Sequence, residues 1–437
     1  MIYYGRGSER EVMSDDALRA GLAEALDRLG KRRRVLAVPP DITRFHSRAG
    51  RITEMVSEYY GDALCDVLPA TGTHFALTDE EKQKMFDRVP RHLFRVHRWK
   101  EDLETLGRVP AEFVREVSEG MLSFDWPAQV DRLLVRGGHD LILSIGQVVP
   151  HEVVGMAGYN KNILIGTGGR EAIHKSHYLG AVYGMERMMG RTTTPVRAML
   201  DYAADHFIRN LPIVYVQTVV GREQDGSLAL KGLYVGDDIE VFRRAAALSI
   251  RVNVTLVEEP LARVVVFLDP NEFKSTWLGN KAIYRTRMAI ADGGELIVLA
   301  PGVRQFGEDP GIDSLIRKYG YFPTPRILQL VKENRDLQEN LSVAAHLIHG
   351  SSEERFIITY CPSGRTREQV EKAAFRWGDL MAMTARYDPG RLKDGWNELP
   401  GGERVYFISN PATGLWAARS RFLGRRPRTW ISARTSP

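Results

Sequence analysis

Cysteine is almost missing from this chain of 437 residues: Cys65 and Cys361 are the only two, far apart in the sequence. Two isolated thiols exclude a disulfide framework and the close Cys pairs of zinc and iron–sulfur sites, and they point to a reducing cytoplasm. Long apolar runs are missing too. No stretch approaches the ~20 apolar residues of a membrane helix, and the opening Met1-Ile2-Tyr3-Tyr4-Gly5-Arg6 lacks a signal-peptide core, which argues against membrane spanning and export. Short-period repeats and low-complexity linkers are absent. At 43% hydrophobic and 26% charged residues the composition excludes collagen-like and disordered chains and leaves an ordinary globular protein of two or three units.

The familiar catalytic signatures are lacking as well. There is no G-x-x-x-x-G-K-[ST], G-x-S-x-G or H-E-x-x-H, and Gly166-Thr167-Gly168-Gly169-Arg170-Glu171 misses the last glycine of G-x-G-x-x-G. A P-loop, an ordinary dinucleotide site, a hydrolase elbow and a zincin helix are therefore not supported. A strongly charged body is also missing. The net charge of +5 comes from the end of the chain, where Arg404 to Pro437 holds seven arginines and no acidic residue, leaving 53 basic against 55 acidic side chains elsewhere. Residues 411–437, with Arg419, Arg421, Arg425, Arg426 and Arg428, read as a solvated basic tail, and the near-neutral body argues against a nucleic-acid partner.

What is present is a series of short aliphatic runs that end in Pro, Gly or Asp and lead into segments of helical period. This is the pattern of βα units around mostly parallel sheets. The runs are Val35–Val38, Ala63–Leu68, Leu141–Ile145 and Ile213–Val219, then, past a break at Val252–Pro260, Arg263–Leu268, Leu296–Leu299, Arg355–Tyr360 and Val405–Ile408. The expected fold class is α/β, with two α/β domains facing across a cleft. Residues 1–258 form the first, catalytic and cofactor-binding, and residues 259–410 form the second, contributing to the substrate cleft. Thr78-Asp79-Glu80-Glu81 is a capping box that opens a helix, so His74 belongs to the loop before it.

Polar residues gather where the strands end, which is where open α/β sheets present their chemistry. Asp41 and Arg44 follow the first run, and Gly72-Thr73-His74 the second. Pro150-His151-Glu152 leads on to Lys161, then to the glycines 166, 168 and 169, then to His174 and His177. Taken singly, Asp41 reads as a turn cap, Arg44 as a surface charge and the glycines as tight βα turns. His174 and His177 share a helical face but lack a third ligand for zinc.

Their order is more specific. Asp-x-Thr-Arg, Gly-Thr-His, Pro-His, a lysine ten residues on and a histidine sixteen residues after that resemble the lactate racemase family of nickel-pincer nucleotide enzymes, over most of residues 35–300 and including Gly236-Asp237. The resemblance implies a pyridinium-3,5-bisthiocarboxylic acid mononucleotide that holds nickel, with His177 as the protein ligand. A single imidazole suffices for square-planar Ni(II) when the pincer supplies three donors. Lys161 matches the lysine that can be tethered to the cofactor through a thioamide. Asp41 matches a cofactor-binding position, and Gly166, Gly168 and Gly169 a glycine turn assigned to the cofactor phosphate. His74 and His151 match the general base and acid, and Arg44 the residue at the substrate carboxylate. Enzymes that synthesise the cofactor are implied partners.

The departures concern the substrate. Where lactate racemases carry a Gln and, three residues later, a Lys, this chain has Lys274 and Trp277; if the run Asn271–Trp277 is helical, the two share one face. A later family Trp falls at Leu341, and Tyr159-Asn160 replaces Gly-Arg before the lysine. An indole offers a broad face to a longer chain while Lys274 pairs with a carboxylate. The expected activity is therefore a racemase or epimerase inverting C2 of a 2-hydroxy acid, with a polyhydroxy, gluconate-like acid ahead of lactate, malate or aromatic acids. A non-catalytic carrier of the nickel nucleotide would have no use for two histidine bases.

Overall fold

The computed structural model describes residues 1–223, 225–412 and 414–424. The described chain folds as two compact units, one built from Met1–Ser176 and Gly190–Asn253, the other from His177–Met189 and residues 254–424.

In the first unit the strands are β1 (Ile2–Gly7), β2 (Val35–Val38), β3 (Leu64–Val67), β4 (Leu103–Val109), β5 (Trp126–Asp131), β6 (Leu141–Gln147), β7 (Pro150–His151), β8 (Gly155–Met156), β9 (Ile213–Arg222) and β10 (Leu228–Gly236). Six of them form the main sheet in the order β1-β10-β9-β6-β2-β3. β9, β6, β2 and β3 run parallel; at one edge β10 pairs antiparallel with β9 and β1 antiparallel with β10, so β10 alone runs against the rest. All four residues of β2 are buried, as are the first six of β6, which is why these aliphatic runs make central strands covered on both faces. The helices Asp15–Leu29 and Ala49–Tyr60 pack Leu18, Leu22, Leu26, Ile52 and Val56 onto this sheet.

β2 connects to β3 on one side of itself, whereas β6, on its other side, connects onward to β9. The loops after β2 and β6 therefore leave in opposite directions, which opens a crevice at the carboxyl ends of these strands, the usual ligand position in such sheets.

In the second unit are β11 (Val254–Val257), β12 (Leu261–Phe267), β13 (Ile290–Ala300), β14 (Ile357–Pro362), β15 (Arg376–Trp377), β16 (Gly395–Glu398), β17 (Arg404–Ile408) and β18 (Leu415–Ala418). The sheet order is β15-β14-β13-β12-β17-β16, parallel except for β16. Val265, Ile297, Leu299, Cys361 and Phe407 form its core.

Two expectations are corrected. The stretch read as a basic tail is folded as far as the structure describes it: β18 pairs in parallel with β11, Arg419 holds Glu258 with two guanidinium nitrogens, and Arg421 donates to Asp292 at 3.0 Å. Arg425, Arg426 and Arg428 lie outside the described residues. Lys274 and Trp277 do not share a helical face either. Ser275 is extended (φ −133°, ψ 162°) and caps a short helix, Thr276–Gly279, by accepting from the Leu278 N–H at 3.3 Å, so Lys274 lies before the helix begins.

Candidate active site

The loop after β2 begins Pro39-Pro40-Asp41. Asp41 caps the 3₁₀ turn Ile42–Ser47, its Oδ1 accepting from the Thr43 N–H at 3.1 Å. Its other oxygen lies 2.6 Å from Nδ1 of His74, which stands on the loop after β3. Asp41 is buried and His74 exposed, so a carboxylate inside orients a ring whose other nitrogen is directed away. Burial acts to raise the Asp41 carboxyl, but the hydrogen bond and charge of His74, the Thr43 hydroxyl and the Arg44 charge outweigh it and hold the group below its ordinary range. The His74 loop is fixed by its own glycine: Gly72 has φ +57° and its N–H donates to the Gly166 carbonyl at 2.8 Å.

The loop after β6 runs into a small hairpin of β7 and β8 in which His151 pairs with Gly155. His151 is buried; its Nδ1 accepts from the Val153 N–H at 3.1 Å and lies 3.7 Å from a Glu152 carboxylate oxygen. A nitrogen that accepts from a backbone N–H carries no proton, so the neutral ring bears its hydrogen on Nε2. His74 is the reverse case, because Nδ1–H toward Asp41 leaves Nε2 as the acceptor. The two rings are thus set oppositely, with Nε2 an acceptor on His74 and a donor on His151.

Lys161 stands in the helix Asn160–Leu164. The next residue is Asn162, whose amide donates to the Val38 carbonyl at 3.0 Å and to the Ser144 hydroxyl at 3.1 Å, which ties the helix to the ends of both β2 and β6. Lys161 is half-buried as a residue, yet protein crowds its ammonium. Burial first, then the Arg44 charge, push it down from 10.5 to about 8, against the pull of Glu152 and Asp41. The amine accordingly feels groups of both histidine loops.

The glycine stretch turns inward. The N–H groups of Gly166 and Gly168 donate to the Lys161 and Ile165 carbonyls, and a Cβ on Gly169 would lie 2.5 Å from the Gln129 side chain. What the stretch presents outward is the start of the helix Arg170–Tyr183. His174 and His177 are one turn apart on that helix, and His177 falls where the chain passes into the second unit. In the second unit Lys274 donates to the Pro270 carbonyl at 2.5 Å, while Trp277 is half-buried with its ring 4.2 Å from that of His346.

Several participants escaped sequence reasoning. Glu152 is adjacent to His151 and its neighbourhood was the available signal. Asn162 and the buried His97 had none: His97 joins Asp131 (2.7 Å) to the Gly168 carbonyl (3.1 Å) and so braces the glycine turn from residues distant in sequence. Among the described residues Cys65, Asp66 and His139 also lie together. Asp66 receives Arg95 at 2.7 Å and His139 at 2.8 Å, burial raises the Cys65 thiol, and Nδ1 of His139 is buried without a hydrogen-bond partner among the described residues.

Residues 9–189 match the family model of the lactate racemase N-terminal domain. A search of curated protein sequences returns no match. Among solved structures the chain is similar to a protein from Thermotoga maritima, with 24% identity, a TM-score of 0.77, and coverage of 93% of this chain and 98% of that one. It is also similar to the lactate racemase apoprotein from Thermoanaerobacterium thermosaccharolyticum, with 16% identity, a TM-score of 0.69, and 94% of each chain covered. Both likenesses concern the fold. No helix among the described residues is long and apolar enough to cross a membrane. Residues 9–189 are thus similar to the N-terminal domain of lactate racemases.

Proposed function

We propose that this protein is an isomerase that inverts C2 of a 2-hydroxy acid at the carboxyl ends of β2, β3 and β6, in the cytoplasm. The observation that carries the reading is the opposite setting of the two imidazoles, His74 on Asp41 and His151 on the Val153 N–H, with the Lys161 amine under the influence of both loops.

The residues suit a nickel-pincer nucleotide on the chemistry of Lys161: an amine brought to about 8 holds a substantial neutral, nucleophilic fraction near physiological pH, as a covalent tether requires. Lys161 would carry the tether, His177 the metal, and Asp41 with the start of the Arg170–Tyr183 helix the nucleotide. When bound, the group supplies a hydride acceptor for C2. His74 Nε2 takes the hydroxyl proton from one enantiomer and His151 Nε2–H returns a proton to the product oxygen; for the mirror-image substrate the roles exchange. Arg44, whose charge reaches Asp41 and Lys161, would receive the substrate carboxylate through its two-pronged guanidinium. Within the second unit, the half-buried Trp277 face suits the C–H groups of a longer, polyhydroxylated acid such as an aldonate.

The test is to incubate protein from a host that makes the cofactor with single-enantiomer acids in heavy water. Inversion with ordinary hydrogen kept at C2 is expected, and aldonates should turn over faster than lactate. Deuterium at C2 would replace hydride transfer by proton abstraction. Turnover confined to lactate would remove the sugar-acid refinement. His74→Ala and His151→Ala should each abolish inversion while keeping the Lys161 mass adduct, which separates an enzyme from a carrier.

A further inference from the structure

We propose that Arg197 is a positioning residue that holds the Lys161 amine in place through Asn160. The inference rests on the reading of Lys161 as the amine that meets the cofactor, and it concerns a residue far from every motif at the strand ends.

Arg197 lies on the helix Pro195–Ala203, whose first turn is fixed by Thr194 accepting from the Arg197 N–H at 3.0 Å. Its side chain is buried, and its hydrogen bonds fall on one short segment, the residues immediately before Lys161. Nη2 donates to the Met156 carbonyl at 2.7 Å and the Gly158 carbonyl at 3.4 Å, and Nη1 donates to Oδ1 of Asn160. The guanidinium carbon also stands 4.2 Å from the centre of the Phe242 ring. A buried cation is costly unless its donors are matched; Nε has no hydrogen-bond partner among the described residues, so the bonds of Nη1 and Nη2 commit the guanidinium to one loop.

That loop would not hold its shape alone. Gly155 and Gly158 have φ of +85° and +91°, and Tyr159, which is not glycine, has φ +58°. Such a conformation at a tyrosine persists only when its surroundings impose it. Gln217 accepts from the Tyr159 N–H at 2.7 Å on one side, and Arg197 turns the carbonyls of 156 and 158 inward on the other.

Asn160 is the link. It accepts from Arg197 and donates to Oδ1 of Asp201 at 2.7 Å, and because a guanidinium only donates and a carboxylate accepts here, the amide has one possible orientation. The chain then enters the helix that begins at Asn160, so the guanidinium, the amide and Asp201 together set the backbone from which Lys161 projects. The Arg197 charge also acts on the Lys161 ammonium in the same direction as Arg44 and burial do.

The test uses the full-length protein without cofactor. Amines are acetylated over a range of pH and modification of Lys161 is read by peptide mass, with the exposed Lys332 as control and thermal unfolding as the check on folding. Arg197→Met should move the Lys161 labelling midpoint up by about one pH unit, about a tenfold loss of neutral amine at a fixed lower pH, with Lys332 unmoved. An unchanged or lowered Lys161 midpoint in folded protein, or an equal shift at Lys332, overturns the proposal. If Arg197→Met does not fold, Asn160→Ala should give the same upward shift, and an unmoved midpoint there overturns it instead. Because the labelling needs no cofactor, a shifted midpoint together with no adduct on Lys161 in cofactor-producing cells would remove the proposed function and leave this inference standing.

Discussion

Nδ1 of His74 stands 2.6 Å from Oδ2 of Asp41, although the two residues belong to separate loops and one is exposed while the other is buried. The contact exists because β2 and β3 are adjacent parallel strands whose loops emerge side by side. It commits one ring nitrogen and leaves Nε2 as the basic one. Asp41→Asn should therefore lower turnover by about 10²–10⁴, because an amide no longer stabilises the imidazolium that forms. The fold should survive, since Asn also serves as a cap. The variant should also change the acid limb of stability. A carboxyl held below its unfolded value contributes stability that is present above that value and is lost as pH falls through the folded one, so wild type loses more than Asp41→Asn on going from pH 5 to pH 3. Turnover and melting curves at these two pH values check both points.

Lys161 has the opposite linkage. Its amine falls from 10.5 to about 8 on folding, so the folded state resists protonation and the protein is less stable below pH 8 than above 10.5 on account of this group. Lys161→Met should raise the melting temperature at pH 7 and have less effect at pH 10.5, while abolishing any covalent adduct. A Lys161→Met protein that melts lower at pH 7 would show that the amine is favourably paired rather than held against burial.

The central strands were legible because their sequences are short runs, apolar but for Ser144: Val35–Val38 and Leu141–Ile145 permit little else once both faces are covered. β1 was not, since Tyr3, Tyr4 and Arg6 leave it half-exposed, and its place depends on close contact with β10, where a Cβ on Gly7 would lie 2.7 Å from the Gly232 backbone. At the site, His74 and His151 stood out through the spacing of motifs, but their partners divide by distance. Glu152 adjoins its histidine, whereas Arg197 and His97 act through contacts that only the folded chain creates. The shared face of Lys274 and Trp277 depended on a helix running through Asn271–Trp277; the hydroxyl of Ser275, by capping at that position, starts the helix too late for Lys274 to join it.

Gly50 gives a test of the packing that supports the Asp41 loop. It lies in the helix Ala49–Tyr60 that follows the Asp41 turn, and a Cβ there would come within 1.8 Å of the Met85 carbonyl oxygen at the end of the helix Asp79–Met85. The obstacle is backbone, which cannot swing aside as a side chain does. Gly50→Ala should therefore destabilise by about 1–3 kcal/mol or more, despite alanine's better helix propensity, and urea unfolding measures it. A neutral or stabilising effect would mean that the two helices separate without cost.

Trp277 decides between a substrate face and a packing role. Its ring lies against His346, which itself approaches the Tyr321 hydroxyl at 3.2 Å, and Tyr321 in turn shares a 2.6 Å hydrogen bond with buried Thr276. The back of the indole is thus supported by a polar network, while the residue as a whole remains half-buried. If the accessible part meets the chain of a polyhydroxy acid, Trp277→Leu should raise KM for that acid about tenfold, a loss of ~1.4 kcal/mol, and leave KM for lactate within twofold, since lactate has no chain to lay on the ring. Lys274, already bonded to the Pro270 carbonyl, should be less sensitive, so Lys274→Met is expected to change both KM values little. A drop in melting temperature for Trp277→Leu with equal KM changes for both acids would instead place the indole in the core, and the preference for longer acids would then have to be sought in other residues.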